Sequence, residues 1–452
     1  MAGNRLEKEL CPEPLLDASQ AGRGGGYLSG RVCVPVVDSI SSLSCCLPCP
    51  ATDWIYSDSF RKQYKAAECL CVVGSLLCLF LLLSWLFLPK KDSKRDHLNV
   101  CLVTGILSLA LGFVLPLTTR PDECFDAITP NDMSASLSCA WSGMLIVFGG
   151  LTVATWVFLR SLSLHLLVCW NIHVGRRFFV ATQGIGWSVV IVLSGVTLGV
   201  TGVSIRFGDA CHVNTNGSVP SFWGPLLVMS GLSAVLQLAT FAFGLNLYIL
   251  QRARLSAEKY EESTSTRLRQ IWNLVRLQWR AIAAVVLILI DVIFFCSVFL
   301  RIGSNEKQAH HHVEEVYTWL TCLTSHPTDR SVCLVRAQNL FIDQDTVAAL
   351  LFLLAASGIQ CFLVFVQQPL VYGWLKLARR VLGCERRSAS HAELGDSLGT
   401  TEVFSAAYGV VARPKTVEVR KYDKRSKVVN AEHGKAGQAI NEEARGGASS
   451  GR

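Results

Sequence analysis

Three ionisable residues stand out inside long apolar stretches of this sequence: Arg160, His165 and Asp291. A charge inside a lipid bilayer is costly unless it is paired, so such residues are functional candidates by default. Counted at about 1.5 Å per helical residue, Arg160 and Asp291 fall at similar depths. Two interpretations follow. The two side chains form a buried pair that locks two helices together, or Arg160 reaches the lipid headgroups while a hydroxyl caps Asp291.

No set of residues in the chain forms a catalytic pattern. The sequence has no GxSxG or HExxH signature, no carboxylates that face each other along the apolar stretches and no Gly-rich phosphate loop. The Gly-x-Ser pattern of a rhomboid-type nucleophile occurs twice, at Gly186-Trp187-Ser188 and at Gly231-Leu232-Ser233, but ordinary helix packing explains both. We therefore predict neither enzyme activity nor a cofactor nor a bound metal.

Seven apolar stretches must position these residues, because about 20 apolar residues suffice to cross a bilayer. The stretches are Ala66–Leu88, Leu98–Leu117, Ala140–Trp170, Phe178–Val203, Phe222–Leu250, Ala281–Leu300 and Val347–Val366. The predicted fold class is an all-α bundle of seven transmembrane helices. Glycines in the fourth and fifth stretches should let neighbouring backbones approach closely; they are Gly184, Gly186, Gly195, Gly231 and Gly244.

Basic residues in the connectors between these stretches indicate the orientation. The first connector, the third connector and the segment Gln251–Arg276 of the fifth hold twelve Lys and Arg residues, and the second, fourth and sixth connectors hold six. Lys and Arg concentrate on the cytoplasmic side, so we expect the N-terminus outside, the C-terminus in the cytosol and a place in the plasma membrane. Arg61, Lys62 and Lys65 run against this trend. Because the basic residues cluster beside apolar stretches and no nucleic-acid motif is present, the net charge of +8 indicates topology rather than nucleic-acid binding.

Cysteine usage favours the same orientation. Ten of the 18 cysteines fall in segments assigned to the outside, where disulfides persist: Cys11, Cys33, Cys45, Cys46, Cys49, Cys124, Cys139, Cys211, Cys322 and Cys333. A bridge between Cys322 and Cys333 would close a small loop in the long sixth connector. Asn216-Gly-Ser, in the fourth connector, is an N-glycosylation acceptor that requires the same placement.

Four segments make up the expected domain organisation. Residues 1–65 form an extracellular Cys-bearing segment, in which Cys45–Pro50 belongs to a disulfide-tied stalk rather than to a zinc knuckle, whose further ligands are not nearby. Residues 66–368 form the bundle, and 369–387 a basic amphipathic helix on the inner leaflet that ends near a candidate palmitoylation site, Cys384. Residues 388–452 should be disordered. The run His310–His312 is more consistent with an exposed loop than with a metal site.

The loop motifs resemble those of the Frizzled/Smoothened class of seven-helix receptors, in the short form found outside animals. A CLPCP cluster precedes the first stretch, Cys124 lies in the first outer loop, and Gly208-Asp209-Ala210-Cys211-His212-Val213 follows the fourth stretch. The similarity covers about residues 45–375. The resemblance implies that Cys139 pairs with Cys211, Cys322 with Cys333, and Cys124 with a cysteine of the stalk.

The sequence also departs from that class. The large cysteine-rich ectodomain is missing, and of the Lys-Thr-x-x-x-Trp motif after the seventh stretch only Trp374 is present, so the resemblance does not support adaptor recruitment through that motif. Arg280 matches the basic residue of the class's activation switch, although no aromatic partner on the seventh stretch is evident. Similarity to cyclic-AMP-receptor-like receptors is weaker, but these also carry the bridge between the third helix and the second outer loop.

The resemblance implies a cell-surface receptor that passes an external signal to a cytosolic transducer, most simply a heterotrimeric G protein. The implied partners are membrane lipids, an extracellular ligand of unknown identity and that transducer. A second copy of the chain, in a homodimer, is a further candidate partner. The alternatives are a cyclic-AMP-receptor-like receptor and a seven-span transporter or channel. Transporters tend to show internal repeats and helices broken near the membrane midplane, and the sequence shows neither.

Overall fold

The computed structural model describes residues 11–21, 30–35, 44–89, 96–172, 175–257, 283, 285–301, 313–326 and 331–381. Arg280, His310–His312, Cys384 and the segment 388–452 lie outside this set, so the expectations for them stay predictions.

Seven long helices form a bundle, which confirms the predicted fold class. They are Asp58–Phe87, His97–Thr119, Leu137–Cys169, Arg176–Val196, Gly224–Ala257, residues 285–301 and Gln344–Phe365, and they are called the first to seventh spans below. Six of these helical segments are long and apolar enough to cross a membrane, and residues 285–301 supply the remaining helix. A π-helical turn extends the fourth span at Thr197–Thr201, and another precedes the fifth at Val219–Trp223.

The first span begins at Asp58, eight residues before the apolar stretch that predicts it. The added turns are amphipathic and bury Phe60 and Tyr64 in the largely apolar interior of the bundle. Hydropathy locates the segment that lipid can surround, whereas the helix continues as long as one of its faces is buried against protein.

Close backbone approach occurs at other glycines than those that the sequence suggests. A Cβ atom on Gly358 of the seventh span would lie 2.7 Å from the Cα atom of Gly74 in the first span. By contrast, within the described part of the chain nothing lies within 4 Å of a Cβ built at four of the five predicted glycines: Gly184, Gly195, Gly231 and Gly244. No described residue packs against those four positions, so the expected close backbone approach is not found there. At Gly186 the nearest atoms belong to the side chains of Leu159 and Trp156 and not to a backbone.

One end of the bundle carries all the disulfides of the described residues and is called the disulfide end. There, β1 (Leu16–Asp17), β3 (Ser44–Cys46) and β2 (Cys33–Pro35) form an antiparallel sheet in the order β1-β3-β2. Cys11–Cys45 and Cys33–Cys46 bridges hold this sheet. The N-terminal segment is therefore a small folded unit, and not merely a tied stalk.

The sixth connector adds two helices to that unit, Val313–Ser325 and Ser331–Leu340, joined by the Cys322–Cys333 bridge. Trp319 is completely buried at their centre and packs in one apolar cluster with Leu15 and Leu47 of the N-terminal segment. These helices correct the expectation of a polar loop. Their apolar residues are buried because a distant part of the chain covers them.

The other end of the bundle carries the amphipathic helix Gln368–Val381, whose presence agrees with the sequence pattern. The Trp374 indole N–H donates a hydrogen bond to Ser84 Oγ of the first span at 2.7 Å, and its ring stacks on Phe80. Val371, Tyr372 and Leu375 remain exposed. Trp374 thus attaches the helix to the bundle and leaves an apolar surface that suits the membrane interface.

Candidate functional site

A β-hairpin closes the disulfide end of the bundle. Strands β4 (Val203–Phe207) and β5 (Ala210–Val213) pair antiparallel, and Cys211 of β5 is bonded to Cys139 in the first turn of the third span. Gly208 makes the turn with φ +69°, and a Cβ atom there would lie 3.1 Å from the Tyr64 ring. Both the positive φ and the contact favour glycine. The hairpin lies over the bundle as a fixed cover.

A cavity of about 130 Å³ lies between β5 and the second, third, fifth, sixth and seventh spans. Aliphatic side chains such as Ile106, Leu226 and Leu354 form much of its wall. Five aromatic side chains also line it: Phe222, Trp223, Phe295, Phe299 and Phe365. Two of these rings, Trp223 and Phe299, are stacked with their centroids 4.8 Å apart. A largely apolar space with a few polar groups is the usual form of a small-molecule site.

Four polar side chains face this cavity: His212, Asp291, Ser357 and Gln360. Within the described part of the chain, His212 Nε2 and Ser357 Oγ are buried without any hydrogen-bond partner. Asp291 likewise takes part in none of the hydrogen bonds or ion pairs among those residues. Buried polar atoms are normally satisfied, so two unsatisfied buried atoms and an unpaired carboxyl group around one space mark it as a candidate ligand site.

His212 is neutral in this site. Burial lowers its pKa to about 4, so the imidazole carries no charge at physiological pH. Nε2 has no hydrogen-bond partner within the described part of the chain, and a neutral imidazole has one nitrogen that donates and one that accepts. The cover therefore presents an uncharged polar group to the cavity.

Arg160 and Asp291 do not form the ion pair that their similar depth suggests. The Arg160 guanidinium lies instead against the ring of Phe365, with Cζ 5.4 Å from the ring centroid, while Asp291 faces the cavity. Residue depth along two helices says nothing about their rotation, and here the two side chains point to different places. Phe365 is an aromatic residue on the seventh span that the sequence did not single out. It lines the cavity and contacts Arg160.

Acidic partners surround the basic residues at the start of the first span. Lys65 forms ion pairs with Glu68, at 3.3 Å, and with Asp209 of the hairpin turn. Arg61 pairs with Glu123 at 2.8 Å. Glu68, which is not among the predicted site residues, is almost fully buried. This network ties the first span to both neighbouring outer segments and accounts for two of the three basic residues that run against the connector trend.

The remaining predicted residues lie apart from the cavity. Cys124 is bonded to Cys49, and Cys322 to Cys333. His326 lies close to the latter pair, but sulfurs in a disulfide are not thiolates, so the three do not make a metal site. Asn216 is exposed in the turn after β5. His165 contacts Thr240 Oγ1 of the fifth span through Nδ1, at 3.0 Å.

Comparison with known proteins gives the family. No family model matches the chain. The G protein-coupled receptor gprM of Aspergillus fumigatus is 34% identical over 388 residues, which cover 82% of this chain and 77% of that protein. The Frizzled and smoothened-like protein J of Dictyostelium discoideum is 20% identical over 339 residues, 72% of this chain and 51% of that protein. A seven-helix bundle that is this similar to gprM along most of its length is a member of the G protein-coupled receptor family.

Proposed function

We propose that this chain is a cell-surface receptor of Frizzled/Smoothened-like type that passes an external signal to a cytosolic heterotrimeric G protein. Its membership of the receptor family and the cavity beneath the hairpin support this function. The connector charges support a plasma-membrane orientation with the disulfide end outside. Such a receptor binds its ligand at one end of the bundle and its transducer at the other.

The contact between Phe365 and Arg160 carries the mechanism. One part of Phe365 lines the cavity, and its ring contacts the guanidinium of the third span. A cation over an aromatic ring in a desolvated site is stabilised by about 2 kcal/mol. In the resting receptor this contact holds the third and seventh spans together near the transducer end.

A ligand in the cavity would act on this contact through the Phe365 ring. A ligand can shift an equilibrium only by its differential affinity for the two states. A ligand that favours a different position of Phe365 releases Arg160, and the two spans are then free to separate. Arg280, at the base of the sixth span, lies outside the described residues, and its proposed role in the same switch rests on the family resemblance.

Agonist-independent coupling tests this function. We expect Phe365→Leu to raise basal dissociation of G-protein subunits several-fold in a reporter cell, because leucine keeps an apolar cavity wall but loses the cation–π contact. Phe352→Leu is the matched control, since Phe352 lies on the same span and is exposed. Equal surface expression of the variants with no coupling to any G-protein class would overturn the proposal.

A further inference from the structure

We propose that the cavity binds a small hydrophobic amine, with the ammonium group on Asp291 and the apolar body among the aromatic side chains. The inference rests on the proposed function in one respect, that this cavity is where the receptor takes its ligand. It adds the chemical class of that ligand, which neither relative's name states.

The size of the cavity limits the ligand. Its volume of about 130 Å³ is close to that of an engineered protein cavity of about 150 Å³ that binds benzene. One ring with a short side chain fills such a space. The part of a ligand that enters this space is therefore about the size of a substituted benzene.

The aromatic walls favour a cation. Phe222, Trp223, Phe295 and Phe299 line the cavity with rings from the fifth and sixth spans and the turn that precedes the fifth. The faces of such rings carry a partial negative charge and attract ammonium groups within about 6 Å of the ring centroid. The same rings bury the apolar body of the ligand, so both of its ends are accommodated.

Asp291 determines which sign of charge the cavity favours in a ligand. Its carboxyl group is one of the lining groups, and no Lys or Arg is among the described residues that line the cavity. The Arg160 guanidinium lies against the Phe365 ring and is not among the lining groups. A carboxylate with no cation beside it, in an apolar space, is stabilised by an incoming ammonium and repels an incoming anion.

His212 and Ser357 add two further hydrogen-bonding groups to the cavity. His212 Nε2 and the Ser357 hydroxyl oxygen are both buried without a partner within the described part of the chain. A polar group on the ligand that bonds to either of them would satisfy it. A neutral alcohol would satisfy His212 and leave Asp291 uncompensated.

Three probes of one shape test this inference on the purified full chain. They are 2-phenylethylamine, 2-phenylethanol and 3-phenylpropanoate, which present an ammonium, a hydroxyl and a carboxylate. The measured quantity is the unfolding temperature, followed through a dye that reacts with the buried free thiols of Cys71, Cys78 and Cys296 as they become exposed. A ligand that binds only the folded state raises this temperature in a concentration-dependent way.

We expect the amine to stabilise the native chain and the carboxylate to have no effect. Asp291→Asn keeps the shape of the side chain and removes its charge, so the concentration of amine needed for half of the effect should rise about 10- to 100-fold. Asp345→Asn is the control, because Asp345 is exposed at the end of the seventh span. It should respond to the amine as the native chain does.

Two outcomes would overturn the inference: equal stabilisation by amine and alcohol, or an amine response that Asp291→Asn leaves unchanged. If Asp291→Asn does not fold, Leu354→Phe answers the same question, since the larger ring occupies the cavity and should abolish the amine response. A normal amine response in Leu354→Phe would place the site elsewhere. Binding is measured without any G protein, so failure of coupling in the reporter cell and failure of this site are separate results.

Discussion

Arg160 and Asp291 are charged residues that the bundle holds away from water, and each has a different environment. Arg160 Nη1 has no hydrogen-bond partner within the described part of the chain, and the guanidinium is stabilised by the face of Phe365. Asp291 faces the cavity. The similar depth that the sequence predicts for the two residues suggests a pair, which the structure does not contain. Their contacts depend on helix rotation and on Phe365, and neither could be derived from apolar spans alone.

The separation of these charges predicts additive mutations. In a buried ion pair, removal of one partner strands the other, and a second mutation recovers part of the loss. Because these side chains have different neighbours, we expect the effects of Asp291→Ala and Arg160→Leu on the unfolding temperature to add in the double variant. Independent sites usually add within about 0.3–0.5 kcal/mol. If the double variant is clearly more stable than the sum of the two single effects predicts, the two side chains do form an ion pair.

The β4–β5 hairpin is the element that gives the cavity its cover, and the Cys139–Cys211 bridge fixes it to the third span. Four residues of β5 are buried, including His212. Loss of a native disulfide costs about 2–5 kcal/mol in small secreted domains. We expect Cys139→Ser and Cys211→Ser each to retain the protein inside the cell, as surface labelling would show.

The double variant Cys139→Ser with Cys211→Ser sharpens that test. Because the two sulfurs form one bond, the double variant should be no worse than either single variant. Cys296→Ser is the matched control, since Cys296 is buried but free. Surface delivery of both single variants at the native level would show that the bridge does not support the hairpin.

The elements of this fold differ in how well the sequence predicts them. The seven spans follow from composition, because crossing a bilayer demands a long apolar run. The two helices of the sixth connector do not follow in this way, because Trp319 and Leu323 are buried by N-terminal residues far away in the chain. The packing roles of the glycines cannot be predicted from the sequence either. A glycine that faces lipid and one that faces a helix stand in the same apolar surroundings in the sequence, yet Gly74 and Gly358 meet at close range across the first and seventh spans.

For the whole molecule, the distribution of charge bears on orientation. Arg61 and Lys65 precede the first apolar stretch on the side that the connector counts assign to the outside. Each of them has an acidic partner: Glu123 for Arg61, and Glu68 and Asp209 for Lys65. These two basic residues are thus part of the packing at the disulfide end. The twelve basic residues of the odd connectors then outweigh the opposing charges more clearly than the sequence count suggests.

Glycosylation and protease access test that orientation together. Asn216 is exposed and heads the only Asn-x-Ser/Thr acceptor in the sequence, so modification there requires the hairpin end to enter the secretory lumen. Glycosidase should shift the mobility of the expressed protein, and Asn216→Gln should remove the shift. When a protease is added outside intact cells, a tag fused after Arg452 should not be cleaved off, because the C-terminus lies in the cytosol in this orientation. Cleavage of the tag would show that the bundle has the opposite orientation, with the amine cavity on the cytosolic side. Since cysteines rarely stay oxidised in the cytosol, such a result would also contradict all five disulfides that join the described cysteines.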